Sequence, residues 1–252
     1  MDLGLRGKNA IITGSGGGFG KALAFVLADE GANIVVHDLP SKNDEAEKIC
    51  EELRKKGVNA EFIPADMSDE KAVLKFFEEA VSKFDIDILV NNAAVWPTAY
   101  VEEMSVESYR KTVDINMIAP FILCRESVKY FKSKNKKGKI VNMVSQAAFH
   151  GSTSGHAHYA ASKAAMVAFT VSLARECAKY GINVNAAAPG MMRTPMNERA
   201  LKEREEEYIK RIPIGRIAEP EEVANVVTFL CSDKSGYMTG ATLDITGGML
   251  MR

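Results

Sequence analysis

The 252-residue sequence has only four cysteines, Cys50, Cys124, Cys177 and Cys231, and they are too scattered for any C-x-x-C pair. The signatures of a zinc framework and of a disulfide scaffold are therefore both missing, and reduced, buried thiols are expected. Charge of one sign is not in excess either. The 32 basic and 33 acidic residues leave a formal net charge of -1 and a pI near 6.5. No global field draws such a chain to nucleic acid or to an anionic membrane, so small molecules are the expected partners. No apolar run approaches the roughly 20 residues of a membrane helix. Met1 to Arg6 show no basic stretch leading into an apolar one, and a cytoplasmic location is the expectation. Internal repeats, low-complexity tracts and Pro/Gly/Ser linkers are absent too, so one domain spanning 1–252 is expected.

What is present is a composition that can bury a sizeable core, 46% hydrophobic and 26% charged. Short β-branched runs alternate with longer stretches of helical period, the pattern of consecutive βαβ units around a parallel sheet. Strands are predicted at Asn9–Thr13, Asn33–His37, Ala60–Ile63, Ile86–Val90, Lys139–Val144, Ile182–Ala187 and Thr242–Ile245. Helices are predicted at Gly18–Glu30, Asp44–Lys56, Asp69–Phe84, Val106–Phe131, His158–Tyr180 and Glu219–Cys231, several followed by a glycine suited to a left-handed cap. The expected fold class is α/β: a single doubly wound Rossmann-type domain, with a seven-stranded parallel sheet and helices on both faces. The charged segment 191–213 follows the sixth strand, where open α/β sheets bind ligands. It reads either as a substrate lid or as a solvated surface helix.

Thr13-Gly14-Ser15-Gly16-Gly17-Gly18-Phe19-Gly20 links the first strand to a helix whose apolar face is Leu23, Val26 and Leu27. Glycine lets backbone approach a pyrophosphate, whose charge the helix N-terminus then stabilises. The strict G-x-G-x-x-G spacing is absent, and so is a Walker loop, because Ala22 stands where that motif needs a hydroxyl. The second strand ends at His37-Asp38, eighteen residues after Gly20. A carboxylate there can accept hydrogen bonds from adenosine ribose hydroxyls and repel a 2′-phosphate, which favours NAD over NADP. Asp38 is equally suited to capping the turn Leu39-Pro40-Ser41.

Beyond these features the chain resembles the classical short-chain dehydrogenases/reductases over essentially its full length. The residues that carry the resemblance are T-G-x-x-x-G-x-G at Thr13 to Gly20, Asp66-Met67 after the third strand and Asn91-Asn92-Ala93-Ala94 after the fourth. Asn116 in the next helix, Ser145 at the end of the fifth strand, Tyr159-x-x-x-Lys163, and Pro189-Gly190 with Thr194 complete the set. The resemblance implies that NAD is held by Gly14, Ser15, Gly18, Phe19, Gly20, Asp38, Asp66, Met67, Asn92, Ala93 and Ala94. On its nicotinamide side it implies Tyr159, Lys163, Pro189, Gly190, Met192 and Thr194. It further implies Asn116, Ser145, Tyr159 and Lys163 as catalytic residues, and a homotetramer. The family usually has N-N-A-G, so Ala94 departs from the pattern and would be disfavoured if that position needed a positive φ. The C-terminus Gly247-Gly248-Met249-Leu250-Met251-Arg252 is similar to bacterial 3-oxoacyl-carrier-protein reductases and their sugar- and polyol-oxidising relatives.

The spacing of Tyr159 and Lys163 puts both side chains on one helix face. A nearby ammonium favours phenolate, so Tyr159 is expected to be made more acidic and to exchange a proton with an alcohol or alkoxide. Ser145 can donate to the substrate oxygen as charge builds. The backbone carbonyl of Asn116 is, by the resemblance, the one that holds a water beside Lys163. Trp96, Gln146, His150 and His156 are the substrate-contact candidates, with Met191 and Met196 as further pocket residues. Gly151 to Gly155, with Thr153 at its centre, is read as a loop of small residues rather than a nucleophile elbow. The spacing of His150, His156 and His158 puts them on no common helix face, so no metal is expected. The expected activity is hydride transfer between NAD(H) and a secondary alcohol or ketone, with a small polar alcohol, sugar or polyol as substrate. A 3-oxoacyl-carrier-protein reductase and a hydroxysteroid dehydrogenase are the alternatives, and a non-catalytic NAD sensor is a remote one.

Overall fold

In the computed structural model, which describes residues 1–152 and 154–252, the strands alternate their side chains between two buried faces. Strand β1 (Asn9–Ile12) sends Ala10 and Ile12 into one apolar cluster and Ile11 into another. Strand β2 (Asn33–Val36) repeats the pattern with Ile34 and Val36 against Val35. This period of two with no solvated face is what a parallel sheet covered on both sides requires. Helices α1 (Gly18–Asp29), α2 (Asn43–Lys55) and α9 (Pro220–Cys231) cover the first face. The second face is covered by α3 (Glu70–Lys83), α5 (Ala119–Ser133) and α7 (Ala157–Cys177).

With β3 (Ala60–Phe62), β4 (Ile88–Asn91), β5 (Gly138–Met143), β6 (Ile182–Pro189) and β7 (Thr242–Ile245), the strand order is β3-β2-β1-β4-β5-β6-β7, parallel throughout. The expected seven-stranded Rossmann-type sheet is therefore observed, with strand ends within two residues of those expected. Chain order reverses between β1 and β4, which makes the crevice above their carboxyl ends the natural place for a ligand. All four cysteines are buried and free, and burial pushes the thiols of Cys50, Cys124 and Cys231 up to about 12. No described helix is long and apolar enough to cross a membrane.

Two elements differ from expectation, and a third takes one of its two expected forms. The single helix expected over 106–131 is divided into α4 (Val106–Val113), a π-helical turn at Asp114–Ile118, and α5. The amide of Ala119 bonds to Asp114 O, and Pro120 follows within the first turn of α5. A proline has no N–H for the carbonyl four residues back, and that carbonyl belongs to Asn116. A short helix α6 (Ala147–His150) stands where only loop was expected. Segment 191–213 contains the expected surface helix, α8 (Glu198–Arg211), kinked by non-helical backbone at Arg204 (φ -144°, ψ 28°).

Candidate active site

The carboxyl ends of the central strands open into one cavity of about 650 Å³. Over β1 and β2 its floor is the glycine-rich turn. Gly14 adopts φ +66°, and Gly20 packs so tightly that a Cβ there would lie 2.2 Å from Gly14 O. The segment after β4 clamps this turn: Asn92 Nδ2 donates to Thr13 O (2.8 Å) and Gly14 O (3.0 Å). Thr13 Oγ1 in turn accepts from the amides of Asn92 (2.9 Å) and Ala93 (3.0 Å). His37 braces the turn from β2. Its Nδ1 accepts from Gly14 N (3.0 Å), which leaves the proton on Nε2, 3.2 Å from Ala65 O. Burial pushes this imidazole down to about 4, so the brace is neutral at physiological pH.

Gly14, Gly18, Phe19 and Gly20 line the cavity as expected, and Gly16 and Gly17 join them. Ser15 is a correction. It is fully buried and points away from the cavity, its hydroxyl donating to Ile12 O (2.7 Å) and accepting from His37 N (3.1 Å). Asp38 caps the turn at Leu39 and lines the cavity. One carboxylate oxygen accepts from Leu39 N (2.8 Å), while the other lies against Gly16, 2.7 Å from where a Cβ would sit. Asp66 and Met67 line the same end. The amide and hydroxyl of Ser68 donate to Asp66 and hold its carboxyl below the usual range. Lys42 and Glu45, ion-paired at 2.7 Å, line this end as well. They lie outside the glycine-rich turn, in the segment that follows β2.

At the centre of the cavity stand Ser145, Tyr159 and Lys163. Lys163 is 3% exposed; its Nζ donates to Met143 O (2.7 Å) and lies 5.7 Å from the centre of the Tyr159 ring. Burial alone pushes Lys163 down to about 8. Burial also pushes Tyr159 up, and the Ser145 hydroxyl pulls it back down. The expectation that Lys163 acidifies the phenol is therefore corrected. The ammonium is aimed at a backbone carbonyl, and the loss of hydration is the larger effect on both groups.

Asn116 is likewise placed differently from a cavity-lining residue. It is 1% exposed, with Oδ1 accepting from Val95 N (2.9 Å) and Nδ2 donating to Val95 O (3.0 Å) and Ser162 Oγ (3.2 Å). Ser162 Oγ donates to Tyr159 O (2.7 Å), so Asn116 ties the loop after β4 to the turn of α7 that carries Tyr159. Deeper still, Asn91 Nδ2 donates to Asn142 Oδ1 (2.8 Å), and Asn142 Nδ2 donates to Thr170 Oγ1 (2.9 Å). These buried polar links fix α7 against β4 and β5.

Asn92, Ala93, Ala94, Pro189, Gly190, Met192 and Thr194 all line the wall between the two ends. Among the described residues, Asn135 is the one non-glycine with positive φ, so the methyl of Ala94 imposes no backbone strain. Trp96, Gln146 and His150 line the cavity, as do Met191 and Met196. His156 does not. It is buried behind Trp96, the two rings stacked at 4.1 Å, and its Nδ1 lies 2.9 Å from Pro97 O. It supports the indole rather than meeting a substrate. Gln146 Nε2 donates to Met249 Sδ (3.2 Å), and its Oε1 has no partner. Sequence reasoning missed Met249, Arg204, Tyr208 and Arg211, which close this end of the cavity from the C-terminus and α8. Among the described residues no group of three His, Cys, Asp or Glu is placed to hold a metal, and Thr153 of the small-residue loop lies outside them.

A family model described as Enoyl-(Acyl carrier protein) reductase matches residues 14–250. The chain belongs to the short-chain dehydrogenase/reductase family. Among relatives of this short-chain dehydrogenase/reductase, the 3-oxoacyl-[acyl-carrier-protein] reductase FabG of Aquifex aeolicus is 36% identical over 251 residues, covering 99% of this chain and 100% of that one. A solved structure of a candidate NAD(P)-dependent gluconate 5-dehydrogenase from Beutenbergia cavernae, with NADP bound at low occupancy, superposes with a TM-score of 0.93. It is 35% identical, covering 99% of each chain. A candidate 2-deoxy-D-gluconate 3-dehydrogenase from Agrobacterium tumefaciens with bound NADP gives a TM-score of 0.89 at 35% identity, covering 100% of this chain and 99% of that one. Membership makes this short-chain dehydrogenase/reductase an oxidoreductase of a nucleotide-cofactor-binding fold.

Proposed function

We propose that this protein transfers a hydride between NAD(H) and a small polar secondary alcohol, sugar or polyol, or the matching ketone. The observation that carries the proposal is the convergence of Ser145, Tyr159 and Lys163 on the cavity whose other end is the glycine-rich turn. The residues present fit a dinucleotide. The turn leaves no room for a Cβ at Gly20, the N-terminus of α1 faces the cavity, and Asp38 lies over Gly16 at its far end. When bound, the nicotinamide would supply the hydride acceptor or donor. Gly14, Gly18, Phe19, Gly20, Asp38, Asp66, Met67, Asn92, Ala93 and Ala94 would hold the adenosine and pyrophosphate side. Lys163, Pro189, Gly190, Met192 and Thr194 would hold the nicotinamide side.

Tyr159 takes the hydroxyl proton in oxidation and returns it in reduction, while Ser145 donates to the oxygen as it gains charge. Asn116 acts as a positioning residue through Val95 and Ser162, and Pro120 leaves its carbonyl without the donor an α-helix would provide. Gln146, with a free acceptor, and Trp96, with a ring face backed by His156, favour a hydroxylated substrate over a bare hydrocarbon. The location proposed is the cytoplasm. The assembly proposed is a homotetramer, and exposed Val106, Tyr109 and Phe121 on α4 and α5 supply an apolar face for it.

A second reading, reduction of 3-oxoacyl thioesters on a carrier protein, is favoured by the name of the Aquifex aeolicus relative. NADP is likewise favoured by the cofactors bound to the two solved relatives, with Lys42 available beside Asp38. The preference for NAD rests on the carboxylate of Asp38 and on Glu45 neutralising that lysine. Both choices are tested by steady-state rates with NAD and NADP for polyols and for 3-oxoacyl thioesters. Asp38→Ala is expected to lower the NAD/NADP preference at least tenfold, and an unchanged ratio would remove Asp38 from cofactor choice.

A further inference from the structure

Charge is unevenly distributed around the cavity. Its carboxylates, Asp38, Glu45 and Asp66, all lie over the β2–β3 half. The wall over β6 contains no carboxylate among the described lining residues, yet it belongs to a strongly charged helix. Helix α8 has five glutamates and five basic residues, and the two charged residues it presents to the cavity are both arginines, Arg204 and Arg211. Tyr208 and Arg211, one turn apart, line the cavity together with Arg204, which stands at the break in the helix.

Two of its glutamates pair away from the cavity, Glu203 with Arg199 on the helix and Glu205 with Arg193. Arg204 is paired through its Nε with Glu207, and its guanidinium stands 5.8 Å from the centre of the Tyr208 ring. Arg211 has no carboxylate within ion-pairing distance among the described residues. The same helix is anchored at the substrate end. Leu201, Ile212 and Ile217 form a small apolar cluster with Tyr208 and Met249, and Met249 accepts from Gln146. The non-helical backbone at Arg204 lies in the middle of this arm.

We propose that α8 reads a small anionic group on the substrate. Arg204 and Arg211 bind the charged end of a polyhydroxy chain whose secondary alcohol lies at Tyr159 and Ser145 and whose carbon skeleton rests on Trp96. The proposal deepens the reading above and depends on it for the reaction. The chemistry is unchanged: Tyr159 takes the hydroxyl proton, and a bound nicotinamide would accept the hydride from the carbinol carbon. A guanidinium is suited to this task because its planar donor fork matches carboxylate and phosphate oxygens.

The test compares three six-carbon compounds that differ at one end: glucitol, gluconate and glucitol 6-phosphate. The wild-type protein is expected to oxidise an anionic member with at least tenfold higher kcat/KM than glucitol, and the preferred anion tells carboxylate from phosphate. Arg204→Gln and Arg211→Gln are each expected to reduce that anion preference about tenfold, with the loss carried by KM. Arg211→Lys should restore part of it. Lys210→Gln, a change on the same helix at a position that does not line the cavity, should leave the preference intact. Thermal-shift titration of the Tyr159→Phe protein with the same compounds and NADH reads binding without turnover.

Equal rates for charged and neutral members, or arginine variants that keep the preference, would overturn the role of α8 while leaving hydride transfer standing. Arginine-dependent binding of the anion with no turnover of any compound would instead retain the anion site and reject the polyol-oxidation reading. Turnover of 3-oxoacyl thioesters alone, with no binding of either anion, would overturn the anion site and the polyol substrate together.

Discussion

At the scale of single residues, the proposed site depends on a half-buried phenol and a buried amine whose proton affinities move in opposite directions. Burial raises Tyr159 and lowers Lys163 to about 8, so both neutral forms are favoured relative to water. Ser145 is the one side chain that pulls the phenol back down, a second role beside the proposed donation to the substrate oxygen. A base whose conjugate acid is high loses activity as pH falls, so kcat/KM for alcohol oxidation should rise through the alkaline range. Ser145→Ala is expected to lower kcat/KM by about 10²- to 10³-fold, the range for removal of one such donor. It should also move the rising limb of the profile to higher pH. A full pH–rate profile checks this, and a limb that stays in place while the rate falls would confine Ser145 to the oxyanion role.

The same scale shows where reading residues in sequence stops short. Tyr159, Lys163 and Ser145 were legible because their chemistry fixes their spacing and strand-end placement. Ser15 and His156 were not, because whether a loop side chain faces a cavity or supports it from behind depends on what packs against it. Ser15 is turned inward by the demands of Ile12 O and His37 N, and His156 is turned under Trp96. Conversely, His37 was passed over as a strand residue, although its imidazole connects the Gly14 amide to the end of β3.

Among the elements, strands and most helices could be read from period alone because each strand is buried on both faces and each helix on one. The exception is instructive. Apolar positions continue at helical spacing from Ile115 through Ile122 to Phe131, so nothing in the hydrophobic pattern marks the break at Asp114–Ile118. Pro120 is the signal that was available, since it takes away the donor for Asn116 O. Helix α8 illustrates the opposite problem. Its charge pattern is that of a solvated surface helix, and most of it is one, yet Arg204, Tyr208 and Arg211 turn one face to the cavity. The surface-helix reading thus holds for most of the element, with one side lining the cavity. Helices α4 and α5 present Val106, Tyr109 and Phe121 to solvent in the isolated chain. If that face is an assembly surface, light scattering should give four chain masses for the wild type, and Phe121→Asp should lower that mass while far-UV circular dichroism stays unchanged. A wild-type monomer at micromolar concentration would reject the tetramer.

On the scale of the whole molecule, sheet order decides the division of labour. The β2–β3 half carries the carboxylates, the β5–α7 centre the proton-transfer groups, and the β6–α8 side the arginines, all opening into one cavity. In the proposed function, that order corresponds to a cofactor end, a reaction centre and a substrate end in sequence across the crevice of the sheet. The account stands or falls on Tyr159 being the proton-transfer group beside a cofactor site that does not need its hydroxyl. The most direct measurement is a paired one on Tyr159→Phe: NADH affinity by fluorescence titration, and turnover by NADH absorbance with the best substrate found for the wild type. Turnover is expected to fall at least 10³-fold while the NADH dissociation constant stays within about twofold. Wild-type turnover in the variant would contradict the account.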